Sequence, residues 1–342
     1  MKTELLYARD ETAGQAIHRA AEILKSGGLV AMPTETVYGL AASAFSPDAV
    51  KKIFEAKGRP GDNPLIVHIA APEELDTVAR AVSEQARRCM RAFWPGPFTA
   101  VVPKSDRIPA CVSGGLDTVA VRMPDHPVAR AVIQAAGVPL AAPSANRSGS
   151  PSPTTAQHVI DDMQGRIDAI LVSGDCGVGV ESTVVSFACS PPRLLRPGGV
   201  TAEQLWELVP DLVIDPAVTE RLAEGAKVAS PGMKYKHYAP RAEVVLAVGT
   251  TQAFTDYCKQ NADRYQLALC FDEDLPSLTI PALSLGPKAD YATQAERLFA
   301  RLRELDDRGV ERVVVHAPEK KGVGLAVYNR LVRAAGFQVI TL

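Results

Sequence analysis

No stretch of this sequence approaches the roughly 18 uninterrupted apolar residues that a membrane-spanning helix needs. The opening Met1-Lys2-Thr3-Glu4-Leu5 lacks the apolar run and small-residue cleavage site of a secretory signal. The expectation is a cytoplasmic protein with no membrane partner. Cysteine is sparse and scattered. Cys89, Cys111, Cys176, Cys189, Cys258 and Cys270 form no C-x-x-C pair, which argues against a zinc site and reads as free thiols of a reducing compartment. An excess of one charge is missing too. Lys and Arg number 37 against 39 Asp and Glu, for a formal net charge of −2. No global positive field therefore draws the chain onto nucleic acid or anionic lipid, although a local basic patch stays open. Familiar catalytic signatures are also absent: no G-x-x-x-x-G-K-[ST], no H-E-x-x-H, no G-x-S-x-G and no kinase loop set. Gly322-Val323-Gly324 opens a helix but lacks the third glycine and downstream acid of a dinucleotide fingerprint, and reads as a tight turn.

What is present is a two-domain length of 342 residues with an apolar fraction of 46% and a charged fraction of 22%. A helix over 16–26 places Ile17, Ala20, Ala21 and Leu24 on one face, and Ser26-Gly27-Gly28 ends it. Helices follow at 47–56, 83–93 and 127–136. Strands fall at 29–32, 65–69, 98–102, 119–122 and 139–142, with two more at 169–173 and 182–187. The pattern predicts an α/β domain over 1–207, built on an open, twisted mixed sheet. Residues 208–242 hold several prolines and little periodicity, and read as an interdomain linker. From 243 to 342, strands at 244–248, 267–271 and 312–316 alternate with helices near 251–261, 290–306 and 324–335. That is a small Rossmann-like, doubly wound domain.

Open α/β sheets place ligands in the loops at their strand ends. Four such places here carry anion-binding chemistry: Lys57-Gly58-Arg59-Pro60, Pro143-Ser144-Ala145-Asn146, Arg122 in an apolar strand, and Arg196 before Pro197-Gly198-Gly199. A lysine point charge beside a planar arginine fork suits a polyphosphate. Each place also has a plain structural reading. A Lys-x-Arg loop is as a rule solvated surface. Ser144-Ala145-Asn146 fits a turn cap, Arg122 fits a structural ion pair, and His68 fits a satisfied core histidine. The residues alone predict an α/β protein that binds an anion.

Residues 26–40, Ser26 through Pro33-Thr34-Glu35-Thr36-Val37-Tyr38-Gly39-Leu40, resemble the opening motif of the YrdC-like domain. Lys57-Gly58-Arg59-Pro60 with Asn63-Pro64-Leu65 is similar to that family's nucleotide loop. Trp94-Pro95-Gly96-Pro97, Arg122-Met123-Pro124 and Pro143-Ser144-Ala145-Asn146 resemble further family segments, in order. The run 230–240 and the trailing βα domain resemble the long two-domain form, the threonylcarbamoyl-AMP synthases. The resemblance spans essentially the whole chain.

It implies that L-threonine, bicarbonate and ATP give threonylcarbamoyl-AMP and pyrophosphate, an intermediate for the threonylcarbamoyl-adenosine of tRNA. ATP is then a substrate that brings Mg2+ with its phosphates, with no protein cage for the metal. It implies that Lys57 and Arg59 hold the triphosphate, with Asn63, Thr118, Ser144, Asn146, Ser152 and Arg196 completing the nucleotide site. Arg122 would hold the threonine carboxylate, and Thr36, His68, Ala142 and Ser182 would complete that pocket. Glu35 and Glu181 could touch the metal through water. The run Lys234-Tyr235-Lys236-His237-Tyr238 is read as a lid that brings His237 or a neighbouring ring to the phosphates, against the plain reading of a tether. A tRNA or a tRNA-modifying acceptor protein is the implied partner. The competing reading is a non-catalytic RNA-binding module with a basic concave surface, and a carbamoyl transferase on the same fold is a second competitor.

Overall fold

Pro127 sets the first-turn φ of a helix over Pro127–Ala136, and the Gly137 N–H closes it on the Gln134 and Ile133 carbonyls. That helix has the predicted bounds. The computed structural model describes residues 2–8, 13–221 and 238–342. The first sheet is built from β1 (Glu4–Tyr7), β2 (Val30–Met32), β3 (Gly39–Ser43), β4 (Ile66–His68), β5 (Phe98–Pro103) and β6 (Thr118–Arg122). It continues with β7 (Leu140–Ala141), β8 (Ala169–Val172), β9 (Thr183–Ser186), β10 (Arg193–Arg196) and β11 (Val213–Ile214). The strand order is β1-β8-β2-β3-β7-β4-β6-β5-β9-β10-β11. Parallel pairs such as β4 with β6 mix with antiparallel pairs such as β5 with β6, so the expected mixed sheet is observed.

Successive residues of a strand point to opposite faces, and both faces here are apolar. Ala31 joins the core under helices Pro47–Lys57 and Glu84–Phe93, while Val30 and Met32 join the core under Ala13–Lys25 and Pro127–Ala136. The expected linker starts inside this sheet. Val213–Ile214 runs parallel to Arg193–Leu194, so the first unit extends past residue 207. Two residues carry too little alternation to register as a strand.

The second sheet holds β12 (Glu243–Val248), β13 (Leu267–Cys270), β14 (Ala282–Ser284), β15 (Arg312–His316) and β16 (Val339–Thr341), in the order β14-β13-β15-β12-β16. Every pairing in it is parallel. Val244 and Leu246 pack under helices Tyr291–Asp307 and Gly324–Ala334, whereas Val245 and Ala247 pack under Thr251–Gln260. This is the expected doubly wound arrangement. The edge strands β14 and β16 escaped the sequence reading.

The two units meet in specific contacts. The Arg303 guanidinium pairs with Asp162 at 2.6 Å and also donates to the Pro151 carbonyl. Gly179, at φ 76, lies so close to helix Tyr291–Asp307 that a Cβ would sit 2.3 Å from the Glu296 Cα. All six cysteines are free thiols. Among the described residues, no helix is long and apolar enough to cross a membrane.

Candidate active site

Parallel pairing of β4 with β6 sets His68 opposite Arg122, at the ends of both strands. Antiparallel β7 runs beside β4 and then releases the chain into the loop that begins at Ala142 and Pro143. Ser182 immediately precedes β9, and Arg196 ends β10. These ends surround one cavity. Arg59, Arg122 and Arg196 all line it, as do His68, Ala142 and Ser182. Ser144, Asn146 and Ser152 add the loop that follows β7. Three arginines from distant parts of the chain therefore converge.

Arg122 is buried, and its polar partners fix its plane. It donates to the Thr36 hydroxyl at 2.8 Å and the Gly96 carbonyl at 3.3 Å, and lies 2.6 Å from Glu35. The Glu35 contact is an ion pair without hydrogen-bond alignment. Thr36 lies outside the cavity lining and bears on the site by holding Arg122 and contacting Thr34. His68 has Nδ1 3.2 Å from the Ile66 carbonyl. Burial, and then the Arg122 charge, pull its pKa down to about 3. It is a neutral ring at physiological pH.

Arg196 donates to the Ser182 carbonyl at 3.0 Å and to its hydroxyl at 3.2 Å. The Ser182 hydroxyl also contacts that of Thr99 at 2.7 Å. Gly198 follows Arg196 and presses on the backbone of residues 181–183. A Cβ there would lie 2.3 Å from the Thr183 nitrogen, so only glycine permits this approach. Ser152 donates to Glu181 at 2.5 Å, and Glu181 itself lines the cavity. Burial favours its neutral form. The Arg330 and Arg196 charges and the Ser152 hydroxyl outweigh that and hold its pKa below the usual carboxylate range.

Lys57 departs from expectation. Gly58, at φ 62, caps helix Pro47–Lys57 and turns the chain toward Arg59. The Lys57 ammonium points instead beneath the loop, donating to the Ser144 carbonyl at 2.5 Å and the Asn146 carbonyl at 2.6 Å. It is 4% exposed and absent from the cavity lining. Burial, and then the Arg59 charge, push its pKa well below the ordinary lysine value. Residues 144–146 leave two carbonyls pointing inward, and the buried amine satisfies both. Lys57 holds the loop from beneath, outside the cavity lining.

Arg59 reaches across its own loop toward the Pro64 carbonyl at 3.2 Å. Asn63 and Thr118 lie outside the lining. A Cβ on Gly114 would touch Asp62 and Pro64, so the turn before β6 packs on the Arg59 loop. The Asn63 amide is buried, with neither end hydrogen-bonded. His237, and with it most of the expected lid, lies outside the described residues. Its neighbour Tyr238 lines the cavity, at φ 64, and packs on Phe299 of the second unit with ring centroids 5.4 Å apart. Arg330 is the contributor that sequence reasoning missed, because one arginine in an amphipathic helix carries no motif.

The comparisons with known proteins point to one family. Residues 22–198 match the Sua5/YciO/YrdC family model, described as telomere recombination, and residues 200–336 match the threonylcarbamoyl-AMP synthase C-terminal domain. A threonylcarbamoyl-AMP synthase of Pyrococcus abyssi is 43% identical, with 99% of each chain covered. One of Bacillus subtilis is 45% identical over 95% of this chain and 94% of its own. Among solved structures, P. abyssi Sua5 complexed with L-threonine superposes with a TM-score of 0.90 at 42% identity, over all of both chains. Two family models matched in succession, and full-length relatives above 40% identity, leave one assignment: the chain belongs to the threonylcarbamoyl-AMP synthases, in their two-domain Sua5 form.

Proposed function

We infer that this cavity joins the carbamate of L-threonine to the adenylyl group of ATP, releasing pyrophosphate and making threonylcarbamoyl-AMP for the threonylcarbamoyl-adenosine of tRNA. The observation that carries the reading is the convergence of Arg59, Arg122 and Arg196 on one cavity. A concave site with three fixed cations suits a polyphosphate and a carboxylate held together. The L-threonine complex of the P. abyssi relative supports the choice of amino acid.

The threonine amine takes up carbon dioxide, supplied by bicarbonate, and its lost proton leaves with the bicarbonate hydroxide as water, giving a carbamate. A carbamate oxygen then bonds to the α-phosphorus as the bond to pyrophosphate breaks. Positioning and charge stabilisation are the enzyme's main tasks, and no covalent nucleophile is required. In this reading Arg122, oriented by Thr36 and Glu35, takes the amino-acid carboxylate. His68, Ala142 and Ser182 close a small pocket around the side chain. Arg59, Asn63, Thr118, Ser144, Asn146, Ser152 and Arg196 serve the nucleotide, with Lys57 fixing the loop from below.

Magnesium enters with the nucleotide as part of the substrate. Glu35 already faces Arg122, and Glu181 faces Arg330 and Ser152. The product is a reactive mixed anhydride, so a tRNA-modifying acceptor must take it. A non-catalytic RNA-binding module does not fit a chain whose full-length relatives are named as synthases. The test is pyrophosphate release by the purified chain. It should require ATP, threonine and bicarbonate together; release indifferent to threonine would overturn the reading.

A further inference from the structure

We propose that Arg330, on helix Gly324–Ala334 of the second unit, is a positioning residue for the nucleotide half of the active site. The inference rests on the assignment of Ser152 and Arg196 to the nucleotide. Arg330 is fully buried. Its Nε donates to Glu181 Oε2 at 3.0 Å and Nη2 to the Glu181 carbonyl at 3.1 Å. Nη1 donates to the Pro197 carbonyl at 2.5 Å and to the neighbouring Asn329 side chain at 3.2 Å. One guanidinium thus grips the two segments that form a wall of the cavity. The free oxygen of Glu181 takes the Ser152 hydroxyl, and Pro197 adjoins Arg196.

Charge gives the arrangement a purpose beyond docking. Glu181 is a carboxylate in the lining of a cavity assigned to a highly anionic nucleotide. Left alone it would repel the phosphates, and burial weakens the screening that water supplies. Arg330 neutralises it from behind, without entering the cavity. The second unit therefore converts a repulsive wall into a neutral one and sets the direction of the Ser152 hydroxyl. Adjacent contacts keep the helix seated: Asn329 donates to the Val218 carbonyl at 2.6 Å and Arg333 to the Ala217 carbonyl at 2.7 Å.

Titration calorimetry on the full chain tests this, with ATP and L-threonine as separate titrants. Arg330→Met should weaken ATP binding about tenfold or more and L-threonine binding less than about twofold. Adding Glu181→Gln to that variant should recover most of the ATP affinity, because the repelling charge is gone. A purely structural arginine predicts equal losses for both ligands and no recovery, and that outcome overturns the proposal. Should Arg330→Met fail to fold, Arg330→Lys keeps the charge and loses the fork. Its ATP loss should then be non-additive with that of Ser152→Ala; additive losses overturn the proposal. A wild-type chain that binds ATP yet releases no pyrophosphate refutes the reaction and leaves this test readable. One that binds no ATP refutes both.

Discussion

The Arg122 guanidinium donates to the Thr36 hydroxyl at 2.8 Å. The bond fixes the plane of the fork, and the Glu35 carboxylate 2.6 Å away balances its charge. An arginine held on two sides is already arranged to meet a carboxylate on a third, so little ordering remains when a ligand arrives.

Arg122 and Arg59 should therefore separate by ligand. Arg122→Lys keeps a charge for Glu35 and loses the fork; it should raise the threonine KM about tenfold and the ATP KM less than about twofold. Arg59→Ala should do the reverse. Steady-state kinetics with each substrate varied in turn checks both, and equal losses in each variant would refute the partition. Arg122→Ala should also cost about 3–5 kcal/mol of stability by stranding Glu35.

Lys57→Met should destabilise the fold by about 1–3 kcal/mol for each carbonyl left without a donor, at Ser144 and Asn146. The pH dependence has a definite sign. The folded pKa lies below the ordinary 10.5, so the unfolded chain binds more protons in that window. Stability from this group rises as pH climbs toward 10.5 and is lost as pH falls through the folded value. Denaturant midpoints of wild type and variant should diverge between neutral and alkaline pH; parallel curves would contradict the burial argument.

His68 acts on the acid side. Its folded pKa of about 3 lies below the ordinary 6.5. The stability it contributes is fully present above pH 6.5 and falls away toward pH 3. Urea unfolding of His68→Gln should show a shallower acid loss than wild type. In the wild-type NMR spectrum, the His68 ring should show no titration between about pH 5 and 8.

Gly179→Ala should loosen the two units from each other. The added Cβ meets helix backbone at 2.3 Å from Glu296 Cα, and the positive φ is strained for alanine. A loss of about 1–3 kcal/mol is expected from the crowding alone. Thermal melting and limited proteolysis between the units would report it.

Much of this was legible in the sequence because the signals were local. Pro127 and Gly137 bracket their helix, and β4, β5 and β6 are dominated by apolar residues. The second sheet showed itself through plain βα alternation. Strand order did not, since β8 inserts between β1 and β2 through pairings more than a hundred residues apart. At the site, residue type and motif singled out Arg59, Arg122, Ser144 and Arg196, and all four line one cavity. They could not reveal which charges the protein already uses internally. Lys57 looks like a phosphate ligand in any one-dimensional reading, yet two carbonyls 87 and 89 positions away claim it. Arg330 has the opposite problem: its partners lie 133 and 149 positions away.

The seam at Gly179 also bears on how such a protein can be rebuilt. A chimera that grafts a foreign second half onto this first half would bring an unmatched socket. Unless an arginine arrives at position 330, and the contour around Glu296 still clears Gly179, the halves should join as a polypeptide without assembling as an enzyme.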